Sequence, residues 1–207
     1  MEEMRERGKL TGRKRRAKRL GIAAALAAFV LFGLPLAGEA ETQASADGAK
    51  SMPEQSPGSS TGLPVPRYVS LKASRANVRR GPGTDFPIDW VYTKRGVPLE
   101  VTAESNHWRR IRDHEGDGGW IWHTLLDGTR SAIVTGDAAA DDAPADTPVA
   151  LHDAPAPDAD VVAYLEPGLV AGLRGCKAGW CRLEVQGRNG WAPQDRLWGV
   201  YPGEEFD

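Results

Sequence analysis

The sequence contains one short pattern twice, with the two copies about 70 residues apart. Each copy consists of a glycine, a tryptophan and a Gly-Trp-hydrophobic run: Gly96, Trp108, Gly119-Trp120-Ile121, and then Gly168, Trp180, Gly190-Trp191-Ala192. The spacing from the glycine to the tryptophan is the same in both copies. Because each copy of an internal repeat is one structural unit, the pattern fixes the domain count. The sequence therefore predicts two similar small domains.

Both copies have the residue pattern of short β-strands joined by tight turns. Residues 88–92 are mostly of types favoured in strands, and residues 97–101 alternate in the manner of a half-buried strand. In the second copy, Asn189-Gly190 is a strong hairpin signal. After residue 40 the sequence has no convincing amphipathic helical stripe. We therefore predict an all-β chain with two small barrels or sandwiches.

The first 40 residues have the layout of a secretory signal peptide. A basic cluster over residues 13–19 precedes an apolar run over residues 20–36, and Gly38-Glu39-Ala40 offers small residues for cleavage. The apolar run is just long enough to span a bilayer where cleavage fails. We expect a periplasmic or otherwise exported protein, in which an uncleaved segment 20–37 would serve as an inner-membrane anchor.

The charge of the remaining sequence excludes nucleic acid as a partner. Residues 41–207 contain 17 basic and 24 acidic side chains, a net charge of −7. A nucleic-acid-binding protein needs a basic patch, and no such patch stands out here. Residues 67–130 are mildly basic, whereas the chain is acidic from Asp137 onward. This asymmetry either attracts one repeat to the other or serves solubility alone.

Two segments of low complexity divide the chain further. Residues 41–66 are rich in Ser, Gly and Pro and cannot bury enough apolar surface to fold, so they predict a disordered linker. Residues 136–147 are acidic and predict an extended second linker. The predicted order is a signal peptide or membrane anchor, a disordered linker, a first repeat, an acidic linker and a second repeat, over residues 1–40, 41–66, 67–135, 136–147 and 148–207.

The two cysteines, Cys176 and Cys181, lie on either side of a four-residue turn. In an oxidising compartment this spacing suits a cross-strand disulfide. The alternatives are a redox-active pair, which normally has two intervening residues near a helix, and a metal site, for which His152 is the one histidine in this repeat. We predict a structural disulfide, no metal site and no cofactor.

Aromatic residues of the first repeat are the candidates for ligand binding. A shallow groove that combines aromatic rings with an arginine suits a sugar, a peptide or a protein partner. The candidate residues are Trp90, Tyr92, Trp108, Arg110 and Trp122. The alternative is that these rings pack in the core or against the sister repeat. After both repeats are assigned, no stretch remains to house a catalytic domain and no nucleophile has a positioned base, so we predict a non-catalytic protein.

Several of these motifs together resemble the bacterial SH3-like (SH3b) domain. The resemblance rests on Asn77-Val78-Arg79-x-Gly81-Pro82, followed by Trp108 and Gly119-Trp120-Ile121. It covers residues 67–130 well and residues 148–203 less well, and the whole layout is similar to exported tandem SH3-like proteins of Gram-negative bacteria. The resemblance implies that each repeat is a five- or six-stranded, partly open β-barrel.

The second copy departs from this motif at its start, where Leu151-His152-Asp153 follows no asparagine and lacks the arginine. In the family, such domains often accompany cell-wall hydrolases and are thought to bind peptidoglycan or its peptides. The resemblance therefore implies a non-catalytic binding module of the cell envelope, with its groove in the first repeat. The alternative is a structural or assembly protein that binds another envelope protein through strand edges.

Overall fold

A computed structural model describes residues 51–135 and 147–207 in full, and residues 5–7 by their backbone. Apart from residues 5–7, the predicted signal peptide or anchor lies outside the described residues. So do residues 41–50 of the first predicted linker and residues 136–146 of the second. Within the described part of the chain, no helix is long and apolar enough to cross a membrane.

The regular secondary structure of the described residues is almost entirely β-strand, with two three-residue 3-10 turns at His123–Leu125 and Gln194–Arg196. The predicted all-β class is confirmed. The strands are β1 (Arg5–Arg7), β2 (Ser56–Pro57), β3 (Pro64–Val65), β4 (Arg67–Leu71), β5 (Ala76–Arg79), β6 (Ile88–Tyr92), β7 (Pro98–Ser105), β8 (Trp108–Arg112), β9 (Gly118–Trp122), β10 (Leu126–Asp127), β11 (Ser131–Val134), β12 (Val149–His152), β13 (Val161–Leu165), β14 (Val170–Lys177), β15 (Trp180–Val185), β16 (Arg188–Pro193) and β17 (Leu197–Trp198).

The two sequence repeats form two sheets with the same strand order. The first sheet runs β1-β6-β5-β9-β8-β7-β4-β10, and the second runs β13-β12-β16-β15-β14-β11-β17. Strands β4 to β10 therefore correspond one to one with β11 to β17. The first sheet has an eighth strand, because β1 pairs antiparallel with the outer side of β6. We call β4–β10 the first barrel and β11–β17 the second barrel. Each has seven strands rather than the expected five or six, since the short β10 and β17 also join the pairing.

Strand β11 belongs to the second barrel, although the sequence placed it in the first repeat. It lies between β14 and β17, and all four of its residues are buried. The acidic composition of residues 136–147 was the signal for a boundary, but this segment connects β11 to β12 inside one sheet. The chain passes from the first barrel to the second through residues 128–130, because β10 ends at Asp127 and β11 begins at Ser131.

The chain is folded from residue 51, so the predicted disordered linker is corrected over residues 51–66. Strands β2 and β3 pair as a hairpin, which the carboxylate of Glu104 on β7 holds in place. Glu104 accepts hydrogen bonds from the backbone N–H groups of Ser60 and Thr61, each at 2.9 Å, and from the Thr61 hydroxyl at 2.7 Å. The low apolar content of this segment predicted disorder. The prediction was wrong here because the Glu104 carboxylate accepts the hydrogen bonds of the turn and so holds it in place.

The environment of Glu104 keeps it ionised far into the acid range. Burial alone would raise its pKa, but hydrogen bonds from Thr61, Arg67 and Ser60 outweigh burial and lower the pKa to about 2. Arg67 and Arg109 add ion pairs at 2.8 and 3.4 Å. Because the folded pKa is below the unfolded value, the stabilisation is complete above the ordinary glutamate pKa and is lost as the pH falls towards about 2.

We expect Glu104→Ala to release the β2–β3 hairpin while both barrels stay folded. Loss of these hydrogen bonds costs about 1 kcal/mol of local stability, so the amides of residues 58–63 should exchange roughly fivefold faster at neutral pH. Hydrogen exchange read by mass spectrometry measures this, with Glu184→Ala at an exposed ion pair of the second barrel as the control. The wild type should show the same loosening only at strongly acid pH. Unchanged exchange in Glu104→Ala would contradict this role.

Each barrel has its own apolar core. The first core includes Leu71, Val78, Trp90, Tyr92, Leu99, Val101, Ile111 and Ile121, and the second includes Val134, Leu151, Leu165, Leu173, Cys181, Leu183 and Val200. The glycines of the two Gly-Trp runs lie where one strand crosses another. A Cβ on Gly119 would lie 2.5 Å from Val78 Cγ1, and one on Gly190 would lie 2.5 Å from Leu151 Cγ. The repeated glycines are therefore required by close packing.

The predicted disulfide between Cys176 and Cys181 is confirmed. The two residues are directly opposite each other in the β14–β15 pair, and both are buried. Cys176 also exchanges two backbone hydrogen bonds with Phe206, so the cross-linked hairpin holds the end of the chain. A structural disulfide is typical of a protein outside the reducing cytoplasm.

A buried polar contact joins the two barrels. The Tyr201 hydroxyl donates a hydrogen bond to Glu100 Oε1 at 3.0 Å, and both residues are buried. Burial, followed by the negative charge of Glu100, raises the pKa of Tyr201 well above its usual range, so it remains a donor. The hydroxyls of Ser70 and Ser131 lie 2.6 Å apart, and the ring of Tyr68 packs 4.6 Å from that of Tyr201. The short connection is thus reinforced by direct packing.

Candidate ligand-binding groove of the first barrel

Two of the five predicted binding residues lie in the first core rather than on the surface. Trp90 and Tyr92 on β6 are buried, and their rings meet edge to face with centroids 6.3 Å apart. The Tyr92 hydroxyl donates a hydrogen bond to Asp113 Oδ2 at 2.8 Å. These two side chains stabilise the barrel and do not form the wall of an open groove.

Trp108 and Trp122 do lie together at the surface. They are directly opposite each other on β8 and β9, with ring centroids 5.3 Å apart and ring planes at 84°. Trp108 is buried, with 9% of its surface exposed, whereas Trp122 has 36% of its surface exposed. The two indoles line a groove of about 400 Å³ together with Asn77 and Arg79 of β5. We call this surface the Trp108–Trp122 groove.

Arg110 is exposed but lies away from this groove. It lines a separate depression with Pro53, Pro66 and Thr102, next to the β2–β3 hairpin. Trp108 and Arg110 are two residues apart on one strand and share a face, as the sequence indicates. Strand twist and the hairpin nevertheless divide that face into two surfaces.

Asn77 and Arg79 were part of the sequence motif but were not among the predicted binding residues. They alternate along β5 with the buried Ala76 and Val78, so both point to the outer face of the barrel. The Arg79 guanidinium donates hydrogen bonds to the carbonyl oxygens of Thr84 and Phe86 at 2.9 and 2.6 Å. It therefore fixes the β5–β6 loop beside the groove. The Asn-x-Arg spacing was the signal that could have found both residues.

Two histidines extend the aromatic surface around Trp122. The ring centroid of His107 lies 5.0 Å from that of Trp122 and 5.5 Å from that of His123. The His123 N–H donates a hydrogen bond to the His107 carbonyl oxygen at 2.9 Å, which joins the two turns that carry the rings. The sequence showed only that these histidines lie at turns, because their packing depends on the β8–β9 pairing.

The second barrel does not reproduce the groove. His152 stands at the place of Arg79, because each pairs with the tryptophan of its Gly-Trp run. Its ring meets Trp180 edge to face, with centroids 5.4 Å apart. Trp180 is opposite Pro193, whereas Trp108 is opposite Trp122. The second barrel therefore has neither the guanidinium nor the second indole at these positions.

Three carboxylates lie close together in the β8–β9 turn. One carboxylate oxygen from each of Asp113, Glu115 and Asp117 lies within 4.8 Å of the other two. Asp113 accepts hydrogen bonds from the Tyr92 hydroxyl and from the backbone N–H of Asp117. The buried Asp113 thus holds the conformation of the turn, and a cluster of acidic residues does not by itself define a metal centre.

Two segments of the chain, residues 72–128 and 145–199, match a family model described as Bacterial SH3 domain. The chain belongs to the bacterial SH3 domain family. The first matched segment lies in the first barrel and contains the whole Trp108–Trp122 groove, and the second lies in the second barrel. Bacterial SH3 domains are typically binding modules rather than catalytic domains. The groove is therefore the part of the first SH3 domain to consider for ligand binding.

Two similar solved structures are NlpC2 and NlpC1 from Trichomonas vaginalis, at 13% and 15% sequence identity. The matches cover 65% and 69% of this chain and 48% of each of the other two chains, with TM-scores of 0.29 and 0.28. This chain therefore spans about half the length of those proteins. Scores this low carry no argument about its function. No curated protein matches the chain.

Proposed function

We propose that this tandem SH3 protein is an exported, non-catalytic module of the cell envelope that binds peptidoglycan or its peptides in the Trp108–Trp122 groove. The observation that carries the proposal is the edge-to-face indole pair beside Asn77 and Arg79, open to solvent through Trp122. Family membership supports a binding role, and the disulfide supports a compartment outside the cytoplasm. The predicted signal peptide supplies the route of export.

The chemistry of the groove suits a glycan that carries short peptides. The flat face of Trp122 offers an apolar surface for a sugar ring or an aliphatic stem. Asn77 offers both a donor and an acceptor for a peptide or acetamido group. The Arg79 guanidinium adds positive charge beside the groove, which attracts carboxylates of the peptides. The alternative role, assembly with an envelope protein, would use strand edges and would leave this groove unoccupied.

The test is co-sedimentation of the purified protein with peptidoglycan sacculi. We expect Trp122→Ala to weaken binding by about 30-fold, since an exposed tryptophan at the centre of a binding site contributes about 2 kcal/mol. Asn77→Ala should weaken binding less. Tyr164→Ala is the control, because it removes an even more exposed aromatic ring from the second barrel. Near-ultraviolet circular dichroism checks that each variant is folded.

The outcomes separate the candidate ligands. Competition by soluble stem peptides would assign the groove to the peptide, and competition by peptide-free glycan chains would assign it to the sugar. Sacculi that pellet wild type and Trp122→Ala equally would place binding elsewhere on the molecule. A folded wild type that stays in the supernatant would remove peptidoglycan as the ligand.

A further inference from the structure

The last strand at one end of the second sheet has an open edge. Strand β13 pairs with β12 on one side, and no strand of residues 5–7, 51–135 or 147–207 pairs with its other side. Its counterpart in the first barrel, β6, carries β1 on that side, with Glu6 opposite Val91. Tyr164 corresponds to Val91 of the first barrel. Tyr164 is opposite Ala150, the second residue of β12, and Val91 is opposite Asn77, the second residue of β5. The barrel therefore has room for one more antiparallel strand at this edge.

The surface of β13 is apolar. Its exposed side chains are Val161, Val162 and Tyr164, which retain 43%, 37% and 69% of their accessible surface. Sheet edges that remain free are usually protected by charged residues or prolines, because their unpaired backbone groups attract other strands. The sequence Val-Val-Ala-Tyr-Leu of β13 has neither. This edge therefore has the properties of a strand acceptor.

The charge around β13 selects the kind of strand that fits. Residues 131–173 contain eight acidic side chains and neither lysine nor arginine. Two of these acidic residues, Asp160 and Glu166, are exposed and directly flank β13. An incoming strand with basic residues at its ends would place opposite charges next to these two carboxylates, which stabilises cross-strand pairs.

The same two residues argue against self-association. If two copies of β13 paired antiparallel about Ala163, Asp160 of one copy would lie opposite Glu166 of the other at both ends. Like charges directly opposite each other destabilise a strand pair. The acceptor edge is therefore better suited to a partner of different sequence than to a second copy of this chain.

We propose that the open edge of β13 docks an extended segment of a partner protein as an additional antiparallel strand. The partner segment has alternating apolar residues, which cover Val162 and Tyr164, and basic residues at its ends, which face Asp160 and Glu166. Backbone hydrogen bonds supply affinity, and the side chains supply specificity. This surface lies on the second barrel and does not involve the Trp108–Trp122 groove, so the two can be occupied independently.

The test uses a fluorescein-labelled peptide, Lys-Arg-Val-Thr-Val-Thr-Val-Arg-Lys, titrated with the full chain and followed by fluorescence anisotropy. We expect saturable binding that Tyr164→Lys weakens at least tenfold, because the added cation covers the edge and repels the peptide. Ile88→Lys is the matched control, since Ile88 is an exposed residue of β6 at the place of Val161. It should leave binding unchanged.

A further measurement separates strand addition from simple charge attraction. A peptide that is N-methylated at alternate residues keeps its charge and loses half of its backbone donors, so it should no longer bind. Replacing the four basic residues with glutamate should also abolish binding. Binding that survives N-methylation or Tyr164→Lys would overturn the proposal, as would the absence of binding at millimolar peptide. Dimerisation of the unaltered chain that Tyr164→Lys abolishes would overturn it in favour of a second copy.

Discussion

Gly119→Ala and Gly190→Ala should each destabilise one barrel by about 1–3 kcal/mol, the usual cost of overpacking a close-packed core. A Cβ on Gly119 would lie 2.5 Å from Val78 Cγ1 and 3.0 Å from the Arg79 carbonyl oxygen. A Cβ on Gly190 would lie 2.5 Å from Leu151 Cγ and 2.8 Å from the His152 carbonyl oxygen. Part of each contact is with backbone, so rotation of a side chain cannot relieve it.

Urea unfolding of each variant measures the loss, and amide exchange shows which barrel carries it. Gly128→Ala is the control, because a Cβ there would meet nothing within 4 Å. We expect Gly119→Ala to raise exchange mainly in β5 and β9, and Gly190→Ala to do so in β12 and β16. If Gly119→Ala and Gly190→Ala are as stable as Gly128→Ala, the strands have room for a methyl group at these positions and the close packing is contradicted.

Glu100→Ala should lower the free energy of unfolding by about 2–3 kcal/mol, because it leaves the buried Tyr201 hydroxyl without its acceptor. Glu100 also accepts a hydrogen bond from Arg112 Nε at 2.7 Å, but Arg112 is half exposed and can be hydrated after the change. Most of the loss therefore comes from Tyr201 and from the space that the side chain vacates. The contact joins the two barrels, so its removal should also reduce the coupling between them.

Differential scanning calorimetry tests both parts of this expectation. The wild type should unfold in one transition if the interface couples the barrels, and Glu100→Ala should separate it into two. Glu184→Ala removes an ion pair that is largely open to solvent, and such pairs contribute at most about 1 kcal/mol. If Glu100→Ala and Glu184→Ala behave alike, the Tyr201 contact does not hold the barrels together.

The sequence was informative wherever the determining interactions were local. The Gly-Trp repeat predicted two equivalent units, and the spacing of Cys176 and Cys181 predicted their disulfide, since both patterns depend on residues close together in the chain. The features that the sequence did not predict depend on which strands pair and pack together. Residues 88–92 are of types favoured in strands, but these residue types do not say which face of the strand meets the core. Trp90 is buried because it joins one core with residues of β7 and β8, such as Leu99 and Ile111, and these contacts do not follow from residues 88–92 alone.

The same limit explains the missed boundary and the missed groove residues. Ser131–Val134 reads as an ordinary apolar strand, and only its pairing with β14 and β17 assigns it to the second barrel. Asn77 and Arg79 face the groove because β5 pairs with β9, which carries Trp122. Composition predicted disorder over residues 51–66, because it contains no information about contacts with residues far along the chain. Glu104, some 40 residues later, accepts the backbone hydrogen bonds of this turn.

The acidic segment 136–146 is placed where its length has no effect on the distance between the barrels. It connects β11 to β12 within one sheet, whereas residues 128–130 set the separation of the two domains. The number of residues between β11 and β12 can therefore change without altering the length of the connection between the two barrels.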